Sequence, residues 1–443
     1  MNPIKNIFLA TRFYLAFAVV IVLLAISFAI GWLFPIGQTL LVLLFALLIG
    51  DVFLLFDKKN KFEVKRQLPK VLSLSDKNKI SIQVKNNSLR AFDFSLIDEI
   101  PFQFQERNFL LTSSIKEDET QLLHYELRPT ARGEYSFGDI HLFIHSFIGF
   151  VERRITLPAA ESIPVFPSII QMKQYSFFAA ENIMQQKGIK KLRKIGHSYE
   201  FEQVKDYVIG DDFRSINWKA SSRKGDLMIN QYTDEKSQQI YCIIDKSRTM
   251  RMPFNNLTLM DYAINTTLTL SNIALQKQDK AGLISFSDKI GSVLKADNQT
   301  KQLHKIMYTL YKEQERKTEA NYEILYQISQ KIIKGRSLVV LFTNFESQYA
   351  MENVLPTLRQ INRSHLLIVV FFENTEIANF AAESPTSLEG IYHQTMAKKH
   401  IQDKQQMANI LKQYGIQTIL TKPEDLSINT INKYLEMKAR GLI

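Results

Sequence analysis

The segment Asp245-Lys246-Ser247-Arg248-Thr249 sets a carboxylate and two hydroxyls at two-residue steps. In extended backbone that spacing puts the three oxygens on one edge. Hard oxygens so arranged suit a divalent cation such as Mg²⁺. Lys246 and Arg248 interleave two positive charges. These weaken a cation site and would equally receive an acidic partner directly. The blander alternative is that Asp245 and Ser247 only satisfy loop backbone groups. A second cluster runs from Glu200 to Arg223 and includes Asp211, Asp212, Arg214 and Trp218. It reads either as a binding, metal or hydrolytic surface or as a structural network. In the network, Arg214 and Arg223 clamp the acids and Trp218 buries itself. Adjacent carboxylates usually point apart, which weighs against a hydrolytic pair at Asp211 and Asp212. His141 and His145 can share a strand face, but two histidines make an incomplete metal site. The sequence contains no P-loop, H-E-x-x-H, G-x-S-x-G or G-x-G-x-x-G pattern. Catalysis is therefore not expected.

The elements that must position these residues divide the chain into four. Residues 1–57 form two apolar spans, about 13–34 and 36–56, interrupted around Pro35, Gly37 and Gln38. About 22 residues of helix reach the roughly 30 Å of a hydrocarbon core. A cleaved signal peptide fits less well, because a second apolar run follows at once. Lys5 and Arg12 precede the pair, and Lys58, Lys59, Lys61, Lys65 and Arg66 follow it. The positive-inside rule then puts both termini and the soluble domains in the cytoplasm. Residues 58–167 alternate apolar and polar, as in 79–85 and 91–97, and read as an all-β sandwich of immunoglobulin or fibronectin type. Residues 168–237 are a connector that carries the acid–arginine cluster. Residues 238–443 alternate strands and helices, with continuous apolar strands at 338–342 and 366–372. That pattern makes a doubly wound α/β domain whose sites lie at the carboxyl ends of its strands.

Of 443 residues, 46% are apolar and 22% charged, an ordinary globular balance that excludes disorder. The single cysteine excludes an intramolecular disulfide and a multi-cysteine zinc site. Lys and Arg outnumber Asp and Glu by 55 to 44, for a net charge of +11. Nucleic acid or anionic lipid would answer such an excess, and Lys187, Lys190, Lys191, Arg193 and Lys194 form a basic run. No nucleic-acid-binding motif accompanies that run, so nucleic acid is not expected.

The D-x-S-x-[ST] pattern at Asp245, Ser247 and Thr249 resembles the metal-ion-dependent adhesion site of von Willebrand factor A domains. That resemblance implies a Mg²⁺ held also by Thr318 and by a third-loop acid, a position where this chain has Asn344. It further implies a partner carboxylate completing the coordination. The whole chain resembles a bacterial family catalogued as domain of unknown function fifty-eight. The resemblance is carried by Tyr207, Gly210-Asp211-Asp212, Arg214, Ile216-Asn217-Trp218, Arg223 and the run Arg132-Gly133-Glu134-Tyr135. It implies an inner-membrane protein without catalysis, acting as adaptor or assembly factor for a MoxR-type AAA+ ATPase and other von Willebrand A-type membrane proteins.

Overall fold

The computed structural model describes residues 6–57, 60–107, 109–176, 199–208, 211, 213–234, 237–383, 385 and 387–442. The chain divides into two units, Met1–Phe166 and Pro167–Ile443.

In the first unit, two apolar helices span Thr11–Ser27 and Leu33–Leu55. The break between them falls earlier than the sequence suggests. Residues Phe28–Trp32 turn the chain, and Pro35 and Gly37 lie inside the second helix. Pro35 is tolerated because a proline in the first helical turn forfeits no intrahelical donor. Gly37 lets the helices approach, since a β-carbon there would meet the Leu24 side chain at 2.5 Å. Leu33–Leu55 is long and apolar enough to cross a membrane; Thr11–Ser27, at 17 residues, is shorter. Lys5, Lys58 and Lys59 lie outside the described residues. Arg66, counted above among the topology-setting cations, instead points into the β-rich part. It pairs there with buried Asp98 and packs over the Phe137 ring.

The rest of the unit is β. One sheet runs Ile7–Leu9, Val151–Leu157, Ile140–His145, Phe92–Asp98, Leu111–Ile115. A second runs Phe62–Gln67, Asn78–Asn86, Thr120–Leu127, and a third Leu72–Ser73, Glu161–Phe166, Gly133–Phe137. Alternation places Ile80, Ile82, Val84, Leu96, Leu142 and Ile144 in the core. Gly138 and Asp139 leave the ladder and separate Gly133–Phe137 from Ile140–His145. His141 bonds to Glu99 at 2.8 Å and Thr156 at 3.1 Å, and His145 bonds to Ser95 at 3.0 Å.

In the second unit, a strand pair, Tyr199–Asp206 with Met228–Asp234, flanks the short helix Trp218–Lys224. A six-stranded sheet follows, ordered Ile290–Asp297, Lys280–Phe286, Gln239–Asp245, Leu338–Phe342, Leu366–Phe372, Gln417–Thr421. Only the edge strand Ile290–Asp297 is antiparallel. Ile240, Cys242 and Ile244 enter one core and Tyr241 and Ile243 the other, so helices cover both faces. Strand order reverses between Gln239–Asp245 and Leu338–Phe342, the crevice where doubly wound sheets carry their sites.

Candidate functional site

Asp245 ends the central strand and Thr343 follows its neighbour in parallel register. Asp245 is fully buried. Its Oδ1 accepts the Ser247 N–H at 2.8 Å, and its Oδ2 accepts the Thr343 hydroxyl at 2.8 Å. Thr343 is in turn 2.7 Å from the Tyr322 hydroxyl. Burial pushes the Asp245 carboxyl up to about 6 and lifts the Tyr322 phenol well above its ordinary value. The Ser247 and Thr249 hydroxyls lie 3.1 Å apart. The local trio of Asp245, Ser247 and Thr249 is thus brought together at the switch point.

The remaining donors are engaged elsewhere. The Thr318 hydroxyl donates to Asp288 at 2.8 Å, and only its backbone carbonyl reaches the first loop, accepting the Arg248 N–H at 3.0 Å. Asn344 turns its amide nitrogen to the Thr249 carbonyl at 3.4 Å. The Asn344 oxygen accepts from Lys404 Nζ at 2.7 Å, and that ammonium also donates to the Phe345 carbonyl at 2.6 Å. Lys404 is 5% exposed, and desolvation pushes its ammonium down to about 8. As arranged, the oxygen that a divalent cation would need from the third loop is held by a tethered lysine. Among the described residues, no three of His, Cys, Asp and Glu come together as a metal group. The expected five-residue donor set therefore does not fit a divalent cation in this arrangement.

The two interleaved cations also differ from expectation. Lys246 turns inward to Glu313 at 2.6 Å, and Glu313 accepts from Ser285 at 2.7 Å. Burial alone would raise the Glu313 carboxyl, but the Lys246, Ser292 and Ser285 hydrogen bonds outweigh it and hold the group below its ordinary value. Lys246 is consequently not offered to a partner. Arg248 stays at the surface, paired with Glu319 and, at 2.9 Å, with Glu346. Beside this edge lies a cleft of about 270 Å³ lined by Met252, Asn344, Glu346, Glu373, His400 and Lys404, among others. Cys242, buried in the same central strand, has its thiol pushed up to about 12 and is inert as a nucleophile.

Part of the acid–arginine cluster falls within the described residues. Asp211 accepts the Val208 N–H at 3.1 Å and pairs with Lys205 at 3.3 Å. Arg214 lies over the Phe213 ring, and Arg223 is an exposed residue of the short helix. The organising residue is Asn217. Its Oδ1 caps that helix at the Ala220 N–H at 3.0 Å, and its Nδ2 donates to Asn230 at 2.8 Å. Ser221 accepts the Met228 N–H at 2.9 Å, and Gly225 ends the helix at φ +85°. Trp218, expected to be buried, is 70% exposed, and Phe213 is 68% exposed. Gly210, Asp212, the Glu200 side chain and the basic run from Lys187 to Lys194 lie outside the described residues.

Fold and site together define a doubly wound α/β unit with a locked polar loop edge, preceded by a small element that exposes aromatic side chains. Residues 203–380 match the model of the family described as protein of unknown function DUF58. A protein of Bacillus subtilis (strain 168) described as uncharacterized protein YeaD is 22% identical over 165 residues, which is 37% of this chain. The chain spans 38% of that relative's length. Among solved structures, the conserved hypothetical protein BatB from Bacteroides thetaiotaomicron matches 46% of this chain and all of its own. The identity is 10% and the TM-score 0.30. The CARDB domain of the PF1109 protein from Pyrococcus furiosus, seen in complex with di-metal ions, matches 24% of this chain and 90% of its own. There the identity is 16% and the TM-score 0.18. Scores this low carry no argument about the fold or ligands of this chain.

Proposed function

We propose that the chain is a membrane-anchored interaction module: the helix pair holds it in a bilayer with both soluble units on the cytoplasmic side, and the second unit docks another protein. The observation that carries this is the exposure of Trp218 and Phe213, with Val208 and Leu227, inside the family-matched segment. Large aromatic side chains left in water on a small, well-capped element are typical of interface anchors. The locked state of the Asp245 edge supports binding without a metal. The absence of a nucleophile–base arrangement from the sequence motifs supports binding without turnover. By the family resemblance, the partner is a MoxR-type AAA+ ATPase, and the von Willebrand A-like reading of the α/β unit is consistent with its strand order.

The test is affinity capture from native membranes by the full-length protein, against the variant Phe213→Ser with Trp218→Ala. Both side chains are exposed, so the variant keeps its fold. The wild type should retain an AAA+ ATPase and the variant should lose it. Equal capture by both proteins overturns the site, and capture of no ATPase overturns the partner.

A further inference from the structure

A buried carboxylate bonds the β-rich part of the first unit to its second helix, and Arg153 adds a hydrogen bond to the Leu55 carbonyl at 2.8 Å. Asp51 is the sole acid of the helix Leu33–Leu55 and is fully buried. Its Oδ2 accepts the backbone N–H groups of Phe150 and Val151, each at 2.9 Å, and its Oδ1 accepts the Ser146 hydroxyl. Three donors let a carboxylate sit away from water. From Leu33 to Asp51 the helix rises about 27 Å, close to the thickness of a hydrocarbon core. A spanning helix therefore brings Asp51, and the loop bonded to it, to the near boundary of the bilayer. The other helix agrees, because the Ala10 N–H donates to the Phe150 carbonyl at 2.9 Å and Ile7–Leu9 pairs with Val151–Arg153.

Strand register then fixes which end of the sheet meets the boundary. Asp93 pairs with His145 and Asp98 with Ile140, so the strands lead about 20 Å away from the Ser146 loop toward Phe102. At the near end Phe147 is wholly exposed, at 101%, and Phe8, Leu9 and Phe53 are exposed beside the apolar helices. Exposed Arg12 lies against Gly149, and the Arg154 guanidinium sits 5.3 Å from the Phe8 ring. Cations near the ends of apolar helices, with exposed aromatic rings beside them, suit a membrane–water interface.

We propose that the Ser146–Phe150 loop is seated in the lipid headgroup layer, with Phe147 at the acyl boundary and Arg12 among the phosphates, so that the bilayer surface is a binding partner of the β-rich part. This rests on the membrane-anchored reading above. The test uses the full chain with Trp32 and Trp218 replaced by phenylalanine, reconstituted in phosphatidylcholine–phosphatidylglycerol nanodiscs. Phe147→Trp and Phe102→Trp are compared. The tryptophan at 147 should emit to the blue and lose most of its emission to lipids brominated near the headgroup end of their chains. The tryptophan at 102 should emit as in water and lose none. A chain that stays in the nanodisc while both tryptophans emit as in water overturns the seating alone. A chain that cannot be reconstituted, and is released from native membranes by carbonate, overturns the membrane-anchored reading and the seating with it. Phe147→Cys carrying an environment-sensitive label repeats the measurement without a new indole, the native Cys242 being buried.

Discussion

Replacing Asp245 by asparagine isolates the electrostatic cost of the buried strand end. The folded carboxyl titrates near 6 and the unfolded one near 3.8. Below pH 3.8 both states hold the proton, and the group leaves stability unchanged with pH. Between 3.8 and 6 the folded state keeps a proton that the unfolded state has released, so stability falls as pH rises and is level again above about 6. A shift of about two units at roughly 1.4 kcal/mol each puts the loss near 3 kcal/mol. Asparagine fills the same space and keeps an acceptor for the Ser247 N–H. Its own N–H₂ can donate to Thr343, whose hydroxyl then turns to Tyr322. The variant removes the titration and little else. Its stability relative to wild type should rise by roughly 3 kcal/mol between pH 4 and pH 7. Cys242 gives the assay, because the only thiol of the chain is buried in the same strand. Its reaction with dithiodipyridine, followed against urea, reads the opening of the α/β unit and not that of the helices or the β-rich part. A constant difference between the two proteins across this range would refute a raised Asp245 and the burial argument behind it.

Two further outcomes follow from the same edge. Burial holds the Lys404 ammonium near 8 against 10.5 when unfolded, so the folded state releases its proton first. Wild-type stability should rise from about pH 8 toward 10.5, and Lys404→Met should abolish that slope in the thiol assay; a slope that survives assigns it to another group. Millimolar Mg²⁺ should leave Cys242 protection unchanged, since the Asn344 oxygen is held by Lys404. Marked extra protection would show that the loop rearranges around the metal.

The parts of this fold that are legible in sequence are those whose pattern is local. Leu338–Phe342 and Leu366–Phe372 announce themselves as continuous apolar runs because both sheet faces are covered. Asp245, Ser247 and Thr249 are found by spacing because they share one short loop. What spacing cannot supply is the partner each side chain chooses. Lys246 and Arg248 look equivalent in sequence, yet Glu313, far along the chain, takes the first inward, while Glu319 and Glu346 keep the second at the surface. One signal was available for Lys404. In the helix Leu388–Gln413, Ala397, Met407, Ala408 and Leu411 face inward at helical steps, and Lys404 sits on that same stripe. A lysine on a buried stripe must have its charge satisfied inside the fold. That argument points to a buried acceptor, which here is the amide standing at the third-loop ligand position. Asn344, where the adhesion-site resemblance implies an acid, and the buried lysine therefore satisfy each other, at 2.7 Å. Any oxygen at 344, amide or carboxylate, meets the Lys404 ammonium at hydrogen-bond distance, so this edge carries its cation on the chain.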